Sequence, residues 1–291
     1  MLAGHLDAGA AAGALVRTVA GHDTASAFAA APLAGSGGAV LSSGTWSLLG
    51  LECYQPVLSP DAAACNLTNE RGIGDTVRLL RNVMGLWLVQ ECRREWTVAR
   101  VAPEYDELHE LARRSRPDVA VFDPDHESLL QTGRMPGRIA DLCLSKGQDA
   151  PGDRGETLRA ILTSLACKYR LVLEQLEAVS GRRVDVVHVV GGGARNTLLC
   201  QLTADLLGRE VLAGPVEATA LGNVLVQALA TGGLASLAEL RDLSARSTTT
   251  KRFEPGAAQP ATETYERFLA VTGLRGPLRD TTATTPIKEI G

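Results

Sequence analysis

The run Val184-Asp185-Val186-Val187-His188-Val189-Val190 is nearly all apolar and ends in Gly191-Gly192-Gly193. A β-branched run bounded by glycines predicts a buried strand of the kind found inside parallel sheets. Residues 196–207 follow with apolar positions at helical spacing and predict an amphipathic helix. A strand, a glycine cluster and a helix N-terminus in succession let backbone N–H groups approach a ligand with no Cβ in the way. Phosphate oxygens suit such a place. A tight turn where the helix packs closely on the sheet would need the same residues. The dinucleotide fingerprint requires Gly at position 196, where this chain has Asn196, and no Gly-Lys-Ser/Thr follows as in a Walker A loop.

The rest of the chain repeats that alternation. Residues 15–20 and 38–41 read as short strands, the first delivering Gly21-His22-Asp23 at its end and the second Ser42-Ser43-Gly44-Thr45. Residues 76–96 predict one long helix, with Val77, Leu80, Met84, Trp87 and Cys92 roughly on one side. Another helix starts near Pro103-Glu104-Tyr105, and the clearest amphipathic helix spans 156–179, with Gly181 as its C-cap. A strand at 210–213 leads through Gly214-Pro215 into a helix at 217–229. Residues 1–272 are expected to form one domain, and 273–291, rich in Thr, Pro and Gly, a poorly ordered tail. The class is α/β, in which ligands bind at strand C-termini.

Composition narrows the function classes. The chain has 291 residues, 45% hydrophobic and 21% charged, with a formal charge of −4, so no overall basic field points to nucleic acid or anionic lipid. Aromatics at 4% argue against a base-stacking surface. The six cysteines are scattered without a C-x-x-C, which fits reduced, cytosolic thiols used as small apolar fillers better than a zinc site. Met1 to Val16 has no Lys or Arg before its apolar run and is interrupted by Asp7, a poor signal peptide. No stretch approaches the ~20 apolar residues of a membrane helix. A cytoplasmic location, with no membrane and no nucleic-acid partner, is expected.

Three features outside the triglycine bear chemistry. Asp23, between His22 and Thr24 at a strand end, is placed to accept the proton of an attacking hydroxyl, or else it or Thr24 caps the next helix. Ser42-Ser43-Gly44-Thr45 offers hydroxyls and bare backbone to a phosphate, or forms a hairpin corner. Asn82 and Gln90 are amides on the expected 76–96 helix, separated by about 12 Å of rise and about 80° of rotation. They would touch different parts of an elongated ligand, or else each is an ordinary surface amide.

Together these segments resemble a known family. His22-Asp23-Thr24-Ala25-Ser26-Ala27, Ser42-Ser43-Gly44-Thr45-Trp46-Ser47 and Asn66-Leu67-Thr68-Asn69-Glu70 are similar to the second half of the carbohydrate kinases called FGGY, in their rhamnulokinase branch. The stretch Arg78 to Trp87 with Gln90-Glu91-Cys92 continues the likeness, as do Val190 to Leu199 and Gly214 to Asn223. The blocks stand in the family's order and span about residues 15 to 255.

The resemblance implies an actin-like, ribonuclease-H-like α/β domain, the C-terminal domain of a two-domain sugar kinase. It implies ATP-dependent phosphorylation of L-rhamnulose at its 1-hydroxyl, with L-fuculose or a related deoxyketose as alternative substrates. It assigns Asp23 as general base, His22, Asp23, Thr24 and Asn82 to the sugar, Thr45 and Gln90 to the nucleotide phosphates and site, and Gly192 to the adenosine pocket. The cofactors implied are ATP and Mg2+ carried on the nucleotide phosphates, with no protein metal ligand. Only 22 residues precede Asp23, so the N-terminal kinase domain is expected to be missing and this chain alone to show little or no kinase activity. A catalytically idle nucleotide-binding module is the competing reading. A nicotinamide-dependent oxidoreductase would rest on Gly191 to Gly193 alone.

Overall fold

The structure, a computed structural model, describes residues 2–5, 9, 13, 15–19, 21–33, 37–97 and 102–276. Strand β1 (Leu2–His5) pairs antiparallel with β2 (Leu15–Arg17) in a small separate ribbon. Helix α1 (Asp23–Ala30) precedes a hairpin of β3 (Gly38–Ser43) and β4 (Trp46–Cys53). After α2 (Pro60–Ala64), a second hairpin joins β5 (Thr68–Arg71) to β6 (Val77–Met84), and β6 pairs with β4 along its length. Helices α3 (Trp87–Glu95), α4 (Tyr105–Arg114), α5 (Met135–Ser145) and α6 (Arg154–Ser180) follow. The chain then alternates through β7 (Val186–Val190), α7 (Thr197–Leu207), β8 (Glu210–Ala213), α8 (Ala218–Ala230) and α9 (Leu237–Ser247). It ends with β9 (Lys251–Phe253) and α10 (Ala258–Thr272).

Among the described residues the main sheet has seven strands in the order β5-β6-β4-β3-β7-β8-β9. Strand β4 runs antiparallel to both of its neighbours, β6 and β3, whereas β3, β7 and β8 run parallel. The C-terminal ends of β3, β6, β7 and β8 therefore share one end of the sheet. Strand alternation sorts the side chains between two faces. Ala39, Leu41, Leu49, Leu51, Leu79, Val187 and Val189 pack on α6. Val40 and Val190 turn to the opposite face, where Ala27, Phe28 and Ala30 of α1 and Ala218 of α8 cover them.

Helix α6 is the central support, buried along most of its 27 residues. Asp153 starts it by accepting the Glu156 N–H at 2.8 Å, and Gly181, at φ 68°, ends it in the left-handed region. The expected elements at 156–179, 196–207, 210–213 and 217–229 are all present within two residues. The expected strand 15–20 is observed as Leu15–Arg17, with residue 20 outside the described set. Of the expected tail, 277–291 lie outside it too. No helix among the described residues is long and apolar enough to cross a membrane.

The expected helix over 76–96 is a strand followed by a helix. Val77–Met84 makes its backbone hydrogen bonds to β4 on one side and β5 on the other. Gly85 then breaks the chain direction: a Cβ there would lie 2.6 Å from the Thr45 carbonyl oxygen. Past it, Leu86 and Trp87 donate their N–H groups to the Gly44 and Thr45 carbonyls at 2.9 and 3.1 Å, and α3 begins. Apolar positions at 80, 84 and 87 mimic helical spacing because they belong to two elements. Asn82 and Gln90 consequently do not share a helix, and the separation expected for them does not hold.

Candidate active site

Asp23 is the first residue of α1, and His22 before it holds the N-cap position without a side-chain hydrogen bond. The Asp23 side chain is exposed, and its Oδ1 accepts the Thr24 N–H at 2.7 Å. Its other oxygen has no partner among the described residues. A carboxylate here is favoured by the positive end of the helix. Of the two sequence alternatives, the cap position belongs to neither Asp23 nor Thr24.

Arg78 lies behind this terminus on β6, with 1% of its surface exposed. It donates to Thr24 Oγ1 at 3.1 Å, to Glu70 Oε2 at 2.8 Å and to the Arg71 carbonyl at 3.3 Å. Its guanidinium stands 5.4 Å from the centre of the Phe28 ring of α1. His22 Nδ1 approaches the same Glu70 oxygen at 3.4 Å. Burial lowers the pKa of Arg78, while Glu70 and then Asp23 act to raise it.

A second cluster forms where the parallel strands β3 and β7 end together, with Ser42 opposite Val190. A Cβ on Gly193 would overlap the Ser43 hydroxyl, and one on Gly191 would sit 2.9 Å from the Ser43 carbonyl, with φ +85° besides. Around Gly192 a Cβ would meet nothing within 4 Å. Packing thus dictates the outer two glycines, whereas the middle one faces open space. Beneath this turn Ser47 Oγ and the Tyr169 hydroxyl of α6 share a 2.7 Å hydrogen bond, and burial pushes the Tyr169 pKa up to about 12.

Gly44 and Thr45 form the corner of the β3–β4 hairpin, which leaves the exposed Thr45 at the end of the sheet. Gln90 Nε2 donates to Thr45 Oγ1 at 3.3 Å, joining two residues 45 positions apart. The first N–H groups of the 192–195 helical turn have no acceptor within it, a feature suited to anion binding. Asn196 accepts the Leu199 N–H at 3.0 Å and caps α7. That cap occupies the position a dinucleotide-binding loop reserves for glycine.

Asn82 is exposed on β6 opposite Leu48. It shares a sheet face with Arg78, two pleats further toward the strand's end, about 13 Å at strand rise. Trp46, 52% exposed and paired with Met84, borders it. The structure therefore brings His22, Asp23 and Thr24 together at one place, and Thr45, Gln90 and the Gly192 turn at another. Asn82 lies on the sheet face near the strand ends. Glu70 and Arg78 were not picked out from the sequence, because on a supposed helix Arg78 has no reason to point at α1. Read as a strand, the alternation of Arg78, Leu80 and Asn82 would have exposed it.

Among the described residues no group of three or more His, Cys, Asp or Glu could hold a metal ion. All six cysteines are free, four of them buried, and burial raises the Cys143 pKa to about 11 and those of Cys167 and Cys200 to about 12. The four buried thiols are packed as small apolar fillers.

Residues 39–231 match the profile of the FGGY family of carbohydrate kinases, C-terminal domain. The rhamnulokinase of Bacteroides thetaiotaomicron is 44% identical over 240 residues, 82% of this chain and 49% of the relative. That of Bacillus subtilis is 38% identical over 240 residues, again 82% and 49% of the two chains. The chain thus spans about half the length of the curated relatives it matches. Its fold matches the xylulose kinase from Rhodospirillum rubrum with a TM-score of 0.61 at 18% identity, covering 86% of this chain and 49% of that one. The glycerol kinase from Plasmodium falciparum, solved with ADP, gives a TM-score of 0.62 at 16% identity, covering 84% and 48%.

Proposed function

The chain belongs to the FGGY family of carbohydrate kinases, and we propose that it is the nucleotide-binding half of an ATP-dependent ketose kinase acting on the 1-hydroxyl of L-rhamnulose. The observation that carries this reading is the pairing of Thr45 with Gln90 beside the 191–193 turn, on the sheet whose α1 face presents Asp23. One region offers neutral donors for phosphates and the other an exposed carboxylate for a hydroxyl. Phosphoryl transfer asks a protein for positioning and charge stabilisation, and these residues are of that kind.

In this reading Asp23, through its unpartnered oxygen, takes the proton of the sugar hydroxyl as the sugar oxygen attacks the γ-phosphorus of ATP and the bond to the β–γ bridging oxygen breaks, releasing ADP. His22, Thr24 and Asn82 contact the sugar. Gln90 orients the Thr45 hydroxyl toward the phosphates, and Gly192 lets the nucleotide lie against bare backbone. Magnesium bound to the nucleotide would neutralise the charge that develops on the phosphates. The remaining half of the relatives' length would supply the facing wall of the cleft, which excludes water and aligns the reactants.

Calorimetric titration of the chain with ATP tests the nucleotide site. Asp23→Asn, in the chain completed with the N-terminal half its relatives carry, tests the base. Binding of ATP together with loss of L-rhamnulose phosphorylation in the variant is the expected result. Absence of nucleotide binding, or near-normal turnover by Asp23→Asn, would overturn the proposal.

A further inference from the structure

We infer that Arg78 is a positioning residue that holds the Asp23 carboxylate in place through Thr24 and Glu70, an inference that rests on the kinase reading above. A buried guanidinium beside the N-terminus of a helix is doubly unfavourable. It loses its hydration, and it faces the positive end of the helix dipole. An apolar residue of similar size would fill the same space between β6 and α1 without either cost. The ion pair with Glu70, directly opposite on β5, and the Phe28 ring offset part of that cost, but neither requires a donor aimed at α1.

Thr24 is the residue after Asp23, and Arg78 fixes its hydroxyl at 3.1 Å. Glu70 is the residue that His22, just before Asp23, approaches at 3.4 Å, and Arg78 fixes that carboxylate at 2.8 Å. One fork thus bonds the residue after Asp23 directly and the carboxylate beside the residue before it, without a hydrogen bond to Asp23 itself. The guanidinium is in turn held by the Arg71 carbonyl and the Phe28 ring, so it cannot swing away. The guanidinium reaches these partners from three separate nitrogens, a spread that lysine's single ammonium does not reproduce. The sugar hydroxyl must meet Asp23 at hydrogen-bond distance, so a loosened α1 terminus would act on catalysis more than on ATP binding.

The experiment uses the completed kinase and compares Arg78→Met, Arg78→Lys, Glu70→Gln and Asp23→Asn. Circular dichroism melting establishes the folded fraction of each. We expect kcat per folded molecule to fall about 100-fold in Arg78→Met, less in Arg78→Lys and Glu70→Gln, with the KM for ATP unchanged. A merely structural role would lower the melting temperature and leave kcat per folded molecule intact. Should Arg78→Met fail to fold, the other two variants decide. Full kcat in Arg78→Lys and Glu70→Gln, with Asp23→Asn inactive, overturns the positioning role and leaves the kinase reading standing. Full kcat in Asp23→Asn overturns both.

Discussion

Gly222 of α8 lies directly against the backbone carbonyl of Ser26 in α1, so close that a Cβ on it would overlap that oxygen. Two helices can approach this nearly only where one side chain is missing. The contact seats α1 on the sheet and so determines where Asp23, at its N-terminus, emerges. Gly222→Ala must push the helices apart and is expected to cost about 1–3 kcal/mol. A lowered melting temperature, with α1 displaced in a crystal structure of the variant, is the expected result.

The triglycine offers a sharper comparison. Gly192→Val places its Cβ in open space, so the variant should fold normally and, on the kinase reading proposed above, lose ATP affinity because the new side chain would fill the space assigned to the nucleotide. Gly193→Ala meets the Ser43 hydroxyl inside the protein and should instead destabilise the fold by about 1–3 kcal/mol. Calorimetry for ATP and thermal melting for both variants separate the two effects. Equal ATP affinity in wild type and Gly192→Val would remove the nucleotide from this turn.

Lys168 of α6 has 1% of its side chain exposed and pairs with Asp123 at 2.7 Å and Asp125 at 3.0 Å. Asp125 in turn accepts the Met84 N–H at 2.7 Å, at the end of β6 next to the Gly44-Thr45 corner. Removing the cation leaves two carboxylates without their partner, so Lys168→Met should cost about 3 kcal/mol. Chemical denaturation measures that loss. Hydrogen exchange should show Met84 among the amides that open first.

His188 gives the fold a pH dependence of definite sign. Burial, with the charge of Arg241 adding to it, lowers its pKa from 6.5 to about 4. The folded state therefore binds this proton less readily than the unfolded chain. Its contribution to stability is complete above about pH 6.5, shrinks as pH falls, and is lost below about pH 4, on the order of 3 kcal/mol in all. Guanidinium unfolding at pH 7.5 and 5 should show the decline, and His188→Gln should flatten it.

What the sequence determined by itself was local and periodic. The valine run, the glycines after it, the apolar stripe of α6 and the Gly181 signal at its end each depend on neighbours within a few residues. Short-range rules suffice for them. The family could be named from motifs for the same reason, since each motif is a short contiguous stretch. The segment 77–95 was not legible, because whether Val77–Met84 is strand or helix depends on β4 and β5 being there to take its hydrogen bonds. Nor could the sequence say which glycine in the row Gly191-Gly192-Gly193 is open. That depends on Ser43, about 150 positions earlier, lying against the outer two. Only the tertiary structure decided that Thr45 meets Gln90, and that a buried arginine on β6 bonds Thr24 beside Asp23 and the Glu70 carboxylate that His22 approaches. Such pairings arise from strand order and helix packing, which bring distant residues together by burial of surfaces that no local window contains.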